Sequence, residues 1–131
     1  MFRETIQPRF SETNAVGHVG FTVLPAWFEK AMESVYRLFV PDLASERWNL
    51  IVVKFEMECL AEIGHRQEVT IETQVEKIGG SSFRLGQALI QNGKIAARAE
   101  TTLVYFDYRE KKALPLDDRL RAALQQHIVV R

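Results

Sequence analysis

The chain has 131 residues, 17 Lys+Arg against 17 Asp+Glu for a formal net charge of zero, and one cysteine. That length suits a single domain over residues 1–131, and a chain of this size buries about two thirds of its unfolded surface. Balanced charge argues against nucleic acid or an anionic membrane as partner, no uncharged run is long enough to cross a bilayer, and the lone Cys59 excludes an intrachain disulfide and any multi-cysteine metal site. Met1-Phe2-Arg3-Glu4 has no apolar signal core, so a reducing, cytoplasmic location is expected.

In chain order, Thr5 to Phe10 reads as a brief edge strand or lead-in, because Pro8 follows the apolar Ile6. Leu24, Trp27, Phe28, Ala31, Val35, Leu38 and Phe39 then recur at three-and-four spacing, the signature of one helix face. Pro25 is tolerated only in a first turn, which puts the helix start near Thr22, and Pro41 ends it. From Val53 to Ile63 the pattern becomes period two, a long strand whose apolar side includes Cys59 as an inert buried thiol and whose wet side carries Glu56, Glu58 and Glu62. Gly64-His65-Arg66-Gln67 turns the chain into a strand from Glu68 to Ile78. Gly79-Gly80 and Asn92-Gly93 are hairpin signals around a strand from Ser82 to Gln91, and Lys94 to Tyr108 completes an antiparallel meander of four strands. Arg109 to Lys112 is a charged turn, and Leu116 to Ile128 reads as a terminal helix started by Asp117 or Asp118. This order predicts an α+β fold in which a sheet wraps a helix.

The polar residues with chemical potential gather between Arg9 and Glu29. A loop with Ser11, Glu12, Thr13, Asn14, Gly17, His18 and Gly20 runs into the long helix, whose first N–H groups, over Phe21, Thr22, Val23 and Leu24, have no partner inside the helix and can polarise a carbonyl oxygen. His18 can take and return a proton near neutral pH. Glu29, a carboxylate among Trp27 and Phe28, requires a partner; it can pair with His18 or act as the base itself. Glu12 reads as a loop or interface charge. His65 and His127 stand alone in sequence, so no metal site is expected.

Two stretches carry a family resemblance. Arg9-Phe-Ser-Glu-Thr-Asn-Ala-Val-Gly-His-Val with Trp27-Phe28-Glu29, and Lys77-Ile-Gly-Gly-Ser-Ser-Phe83, resemble the loop-plus-helix signature and the mid-sheet hairpin of hotdog-fold acyl-CoA thioesterases of the 4-hydroxybenzoyl-CoA thioesterase type. The resemblance implies a curved antiparallel sheet around a central helix, pairing with a second subunit into a continuous sheet, acyl-CoA sites at that junction, and tetramers in many members. It departs at the chemistry. The family usually has aspartate where this chain has Asn14, and Gly20-Phe21 replaces an Asn-Asn pair. Asparagine cannot ionise, so it can orient a water but neither accept its proton nor form an acyl intermediate.

The resulting expectation is hydrolysis of an acyl-CoA thioester in a homodimer or homotetramer, with Asn14, His18 and Glu29 as catalytic group and Gly17, Phe21, Thr22, Val23 and Leu24 around the carbonyl. Ser81 and Ser82 would bond the pantetheine amides, and Arg84, with Lys77, Lys94 and Arg98, would meet the phosphates. No metal or redox cofactor is called for, CoA entering only as part of the substrate. The alternatives are a non-catalytic acyl-CoA or acyl-carrier-protein binder and, fitting the loop less well, an enoyl-thioester hydratase.

Overall fold

The period-two stretches are strands and the three-and-four stretch is a helix. The computed structural model describes residues 1–129, with strands β1 (Phe2–Ile6), β2 (Leu50–Cys59), β3 (Val69–Ile78), β4 (Ser82–Gln91), β5 (Lys94–Asp107) and β6 (Lys112–Ala113), and helices α1 (Leu24–Phe39) and α2 (Asp118–Gln125). The sheet runs β1-β3-β4-β5-β2, every pairing antiparallel, with β6 added to β5. It curls around α1, the architecture of the hotdog fold.

Of the four strands expected in the meander, β3, β4 and β5 are consecutive neighbours and β2 is not. The expected four-strand meander is wrong because β2, although it precedes β3, pairs with β5 on the far edge. Residues 60–68 cross under the end of the sheet, a link too long for a tight hairpin. Gln91 staples it there: its amide accepts from Gly64 N at 2.9 Å and donates to Gly64 O at 2.8 Å and Gln67 O at 3.0 Å. Alternation reports a strand's faces, not its neighbours.

The helix buries Leu24, Trp27, Phe28, Ala31, Met32, Val35, Tyr36 and Phe39. They pack on inward residues of the three central strands, among them Ile71, Val75, Phe83, Leu85, Leu89 and Leu103, each large side chain contributing about 1.5–3 kcal/mol by leaving water. One polar tie joins the layers: buried Gln87 donates to Phe28 O at 2.9 Å and to Thr73 Oγ1 at 3.0 Å. The Asn92-Gly93 hairpin has φ of 54° and 74°, as a two-residue primed turn requires. At Gly79 the need is space, since a Cβ there would lie 2.9 Å from Ser82 Oγ.

Several boundaries shift from expectation, β2 among them, since it runs Leu50–Cys59 and not Val53 to Ile63. β1 begins at Phe2 and ends before Pro8, which has no N–H to donate to the ladder. α1 is preceded by a 3-10 turn, Phe21–Val23. α2 spans only Asp118–Gln125, Asp117 capping it by accepting from Leu120 N at 2.8 Å, while His127 O and Ile128 instead join the β3 edge at Val75.

Along β2 the expected apolar face is only partly covered, Met57 packing against the core while its neighbours face outward. Val52, Val53 and Phe55 are 44, 58 and 37 % exposed, and Cys59, expected to be buried, is exposed. The edge position and a register shift between Val52 and Lys54 leave Val53 and Cys59 without a covering layer, while the Phe55 ring still lies 6.5 Å from that of Phe28 on α1.

Candidate active site

The loop before α1 is held by its own backbone. Thr13 and Val19 form an antiparallel bridge; inside it Asn14 N donates to His18 O at 2.7 Å and Gly17 N to Asn14 O at 3.0 Å. Asn14 Oδ1 accepts from Val16 N at 3.1 Å and His18 N at 3.2 Å. The turn needs a left-handed residue, supplied by Gly17 at φ 83°. Gly17 therefore shapes the loop, its own N–H being committed to Asn14. Asn14 likewise spends its oxygen on the loop, leaving its amide nitrogen as the group that can face a water.

Glu12 is more than a surface charge. It accepts from Arg9 N at 2.8 Å and from the Trp27 indole at 3.1 Å, bracing the loop against α1. Of the four amides expected at the helix entrance, two are spoken for: Val23 N donates to Gly20 O at 3.1 Å and Leu24 N to Phe21 O, because the chain enters through a 3-10 turn that closes i+3 bonds early. Among the described residues Phe21 and Thr22 N–H donate to nothing, and both residues are exposed.

His18 does not pair with Glu29. Its Nε2 lies 3.2 Å from Glu62 Oε2, a carboxylate on the β2–β3 crossing, brought there because Val19 N donates to Ile63 O at 2.8 Å. Alternation had assigned Glu62 to a solvated strand face; since β2 ends at Cys59, that assignment lapses. Only the tertiary crossing puts Glu62 beside the loop.

Glu29 instead accepts from Tyr36 Oη at 3.4 Å. Burial, and then the neighbouring Glu29 charge, hold the Tyr36 phenol well above its ordinary value, so Tyr36 stays a donor. The pair edges a pocket of about 200 Å³ with Trp48, Leu50, Leu103 and Tyr108. Tyr36 and Trp48 meet edge to face at 5.2 Å, and Tyr108 Oη donates to Leu50 O at 2.7 Å, which fixes the pocket's rim. Tyr36 stands seven residues after Glu29 on the same helix face, which is the signal the sequence holds for this pair.

The expected CoA contacts divide. Ser81 and Ser82 sit at the β3–β4 hairpin, the opposite end of ten-residue β4 from Gln91 and the crossing it staples, about 30 Å away along the strand. Within one chain they do not join His18. Arg84 lies on the outer face of the sheet, 3.2 Å from Glu76 and 3.6 Å from Glu100; bracketed by two carboxylates, it is not a free phosphate ligand. No helix among the described residues is long and apolar enough to cross a membrane.

Known proteins agree with this architecture. The profile of the thioesterase-like superfamily matches residues 8–124. A predicted thioesterase from Bacillus stearothermophilus superposes with a TM-score of 0.95 at 32 % identity, over 99 % of this chain and 98 % of that one. A thioesterase from Thermus thermophilus, solved with coenzyme A and Zn, gives 0.84 at 25 % identity over 95 % and 97 %. The 1,4-dihydroxy-2-naphthoyl-CoA thioesterase from Synechocystis gives 0.79 at 20 % identity over 95 % of each chain. No curated protein matches. With the signature loop, the curled sheet and these likenesses together, the chain belongs to the thioesterase-like superfamily.

Proposed function

We propose that the protein hydrolyses an acyl-CoA thioester to the free acid and CoA, without a metal or redox cofactor. The observation that carries this reading is the pair of uncommitted N–H groups, Phe21 and Thr22, three residues beyond His18 at the mouth of α1. They would hold the oxygen of the thioester carbonyl as charge develops on it. Water, oriented by the Asn14 amide, attacks the carbonyl carbon while His18 takes its proton. The C–S bond then breaks and sulfur leaves as thiolate, a good leaving group that needs little acid assistance. The relative solved with coenzyme A supports CoA as the thiol carrier.

The working unit in this reading is a homodimer, itself able to pair into a tetramer. β2 is an open edge with exposed Val52, Val53 and Phe55, and the loop adds Phe10, Val16 and Phe21, exposed at 76, 72 and 66 %; apolar edges of this kind call for cover. Antiparallel pairing of two β2 strands about a two-fold axis carries the Leu50 end of one copy to the Cys59 end of the other. The Glu29–Tyr36 pocket and the Ser81–Ser82 hairpin of one subunit would then approach the His18 loop of its partner. That arrangement accounts for why the candidate residues divide between two ends of one chain.

Thiol release from a panel of short, medium, long and aromatic acyl-CoAs tests the reading. Turnover by the wild type that falls at least about 100-fold in His18→Ala is the expected result. One observation favours a second reading: Asn14 cannot ionise and its oxygen is committed to the loop, as suits a binder of acyl-CoA or acyl-carrier protein that has lost catalysis. Tight binding without release, converted to turnover by Asn14→Asp, would establish that reading instead.

A further inference from the structure

The loop lacks an ionisable side chain at position 14, and a different element brings one to its histidine. Glu62 Oε2 lies 3.2 Å from His18 Nε2, and the backbones on both sides of that approach are fixed. His18 N and O are both bonded to Asn14. Next to Glu62, Ile63 is 3 % exposed and its carbonyl accepts from Val19 N, while Gly64 is stapled by Gln91. The fold therefore sets the two backbones side by side, and the exposed Glu62 side chain closes the remaining distance.

We propose that Glu62 supplies the carboxylate that position 14 lacks, as the positioning residue for His18. The assignment rests on the thioester-hydrolysis reading above. With the carboxylate against Nε2, the imidazole presents Nδ1 to the attacking water. When Nδ1 takes the water's proton, the imidazolium that forms lies against a negative charge, and the proton stays on the ring until the products leave. No further reactant is needed. The pair is open in the single chain, with side-chain exposures of 36 % for His18 and 77 % for Glu62, and an ion pair in full water contributes little. Glu62 lies three residues beyond Cys59, the β2 end that the proposed dimer brings to the subunit junction; cover there raises the strength of the interaction by lowering the local dielectric.

The test is kinetic, on the full chain with the acyl-CoA it hydrolyses fastest. Glu62→Gln keeps the shape and removes the charge; the expected result is a fall in kcat of about 10- to 100-fold, with KM and the urea midpoint unchanged. In a His18→Ala background the same change should cost nothing more, since the two act as one unit. Asn14→Asp preserves the acceptor that Val16 N and His18 N require, and should restore turnover to Glu62→Gln by a larger factor than it adds to the wild type. A wild type that turns over alongside a Glu62→Gln of equal kcat overturns the role of Glu62 and leaves the hydrolase reading standing. A loss that appears in KM or in the urea midpoint alone also overturns it. No release from any acyl-CoA by the wild type overturns the hydrolase reading, and this assignment with it.

Discussion

Strands β2 and β4 read alike in sequence and live differently in the fold. Both are ten residues long and both alternate, but Phe83, Leu85 and Leu89 of β4 are at most 1 % exposed while Val53 and Phe55 of β2 are 58 and 37 % exposed. α1 lies over the inner strands of the sheet, and the outer strand keeps Val52 and Val53 exposed. An apolar stripe thus reports a strand's pleat, and its place in the sheet decides whether that stripe is covered.

The sharpest way to break that contrast is to empty the covered side. Phe28→Ala, at a residue with no exposure that packs on the central strands, should cost about 3–5 kcal/mol of unfolding free energy in urea titration. Phe55→Ala should cost far less in the isolated chain. A smaller loss is expected from Gly86→Ala on the sheet's other face. A Cβ there would fall on the flexible end of the Glu76 side chain, which lies against Gly86 and pairs with Arg84; swinging it aside should cost no more than about 1 kcal/mol, and Glu76→Ala in the same chain should recover most of it.

Tyr36 gives a comparison that depends on pH. Unfolded Tyr36 loses its proton near its ordinary value of about 10, whereas burial and then Glu29 make the folded phenol keep it. Above that pH the unfolded state binds fewer protons, so stability falls as pH rises; below it the contribution is constant. Urea midpoints of wild type and Tyr36→Phe should therefore run parallel at neutral pH, and above about pH 10 only the wild type should lose the stability tied to this phenol. Smallest in the single chain, Val53→Lys should move the unfolding free energy by no more than about 0.5 kcal/mol. If two β2 edges pair as proposed, the same change should halve the mass in sedimentation.

Much of the candidate site was legible residue by residue and little of it pair by pair. The loop, its histidine and the helix it enters are local, and local spacing announced them. The Glu29–His18 pairing expected from nearness in sequence failed because His18 is drawn to the β2–β3 crossing by Val19 N and Ile63 O, while Glu29 is bonded along its own helix to Tyr36. The Val23 and Leu24 amides were lost to the oxyanion role for a similarly fine reason. Spacing cannot separate an α-helix that starts cleanly from one that starts through a 3-10 turn.

By itself the sequence determined the kind and order of the elements, the buried face of α1 and the Asn92-Gly93 turn, because periodicity, proline and glycine act over a few residues. Tertiary structure alone decided that β2 lies beside β5, that Cys59 is exposed, and that Glu62 meets His18. Those outcomes depend on how a crossing is routed beneath a sheet and on which surface is left for another layer, long-range facts that alternation does not encode.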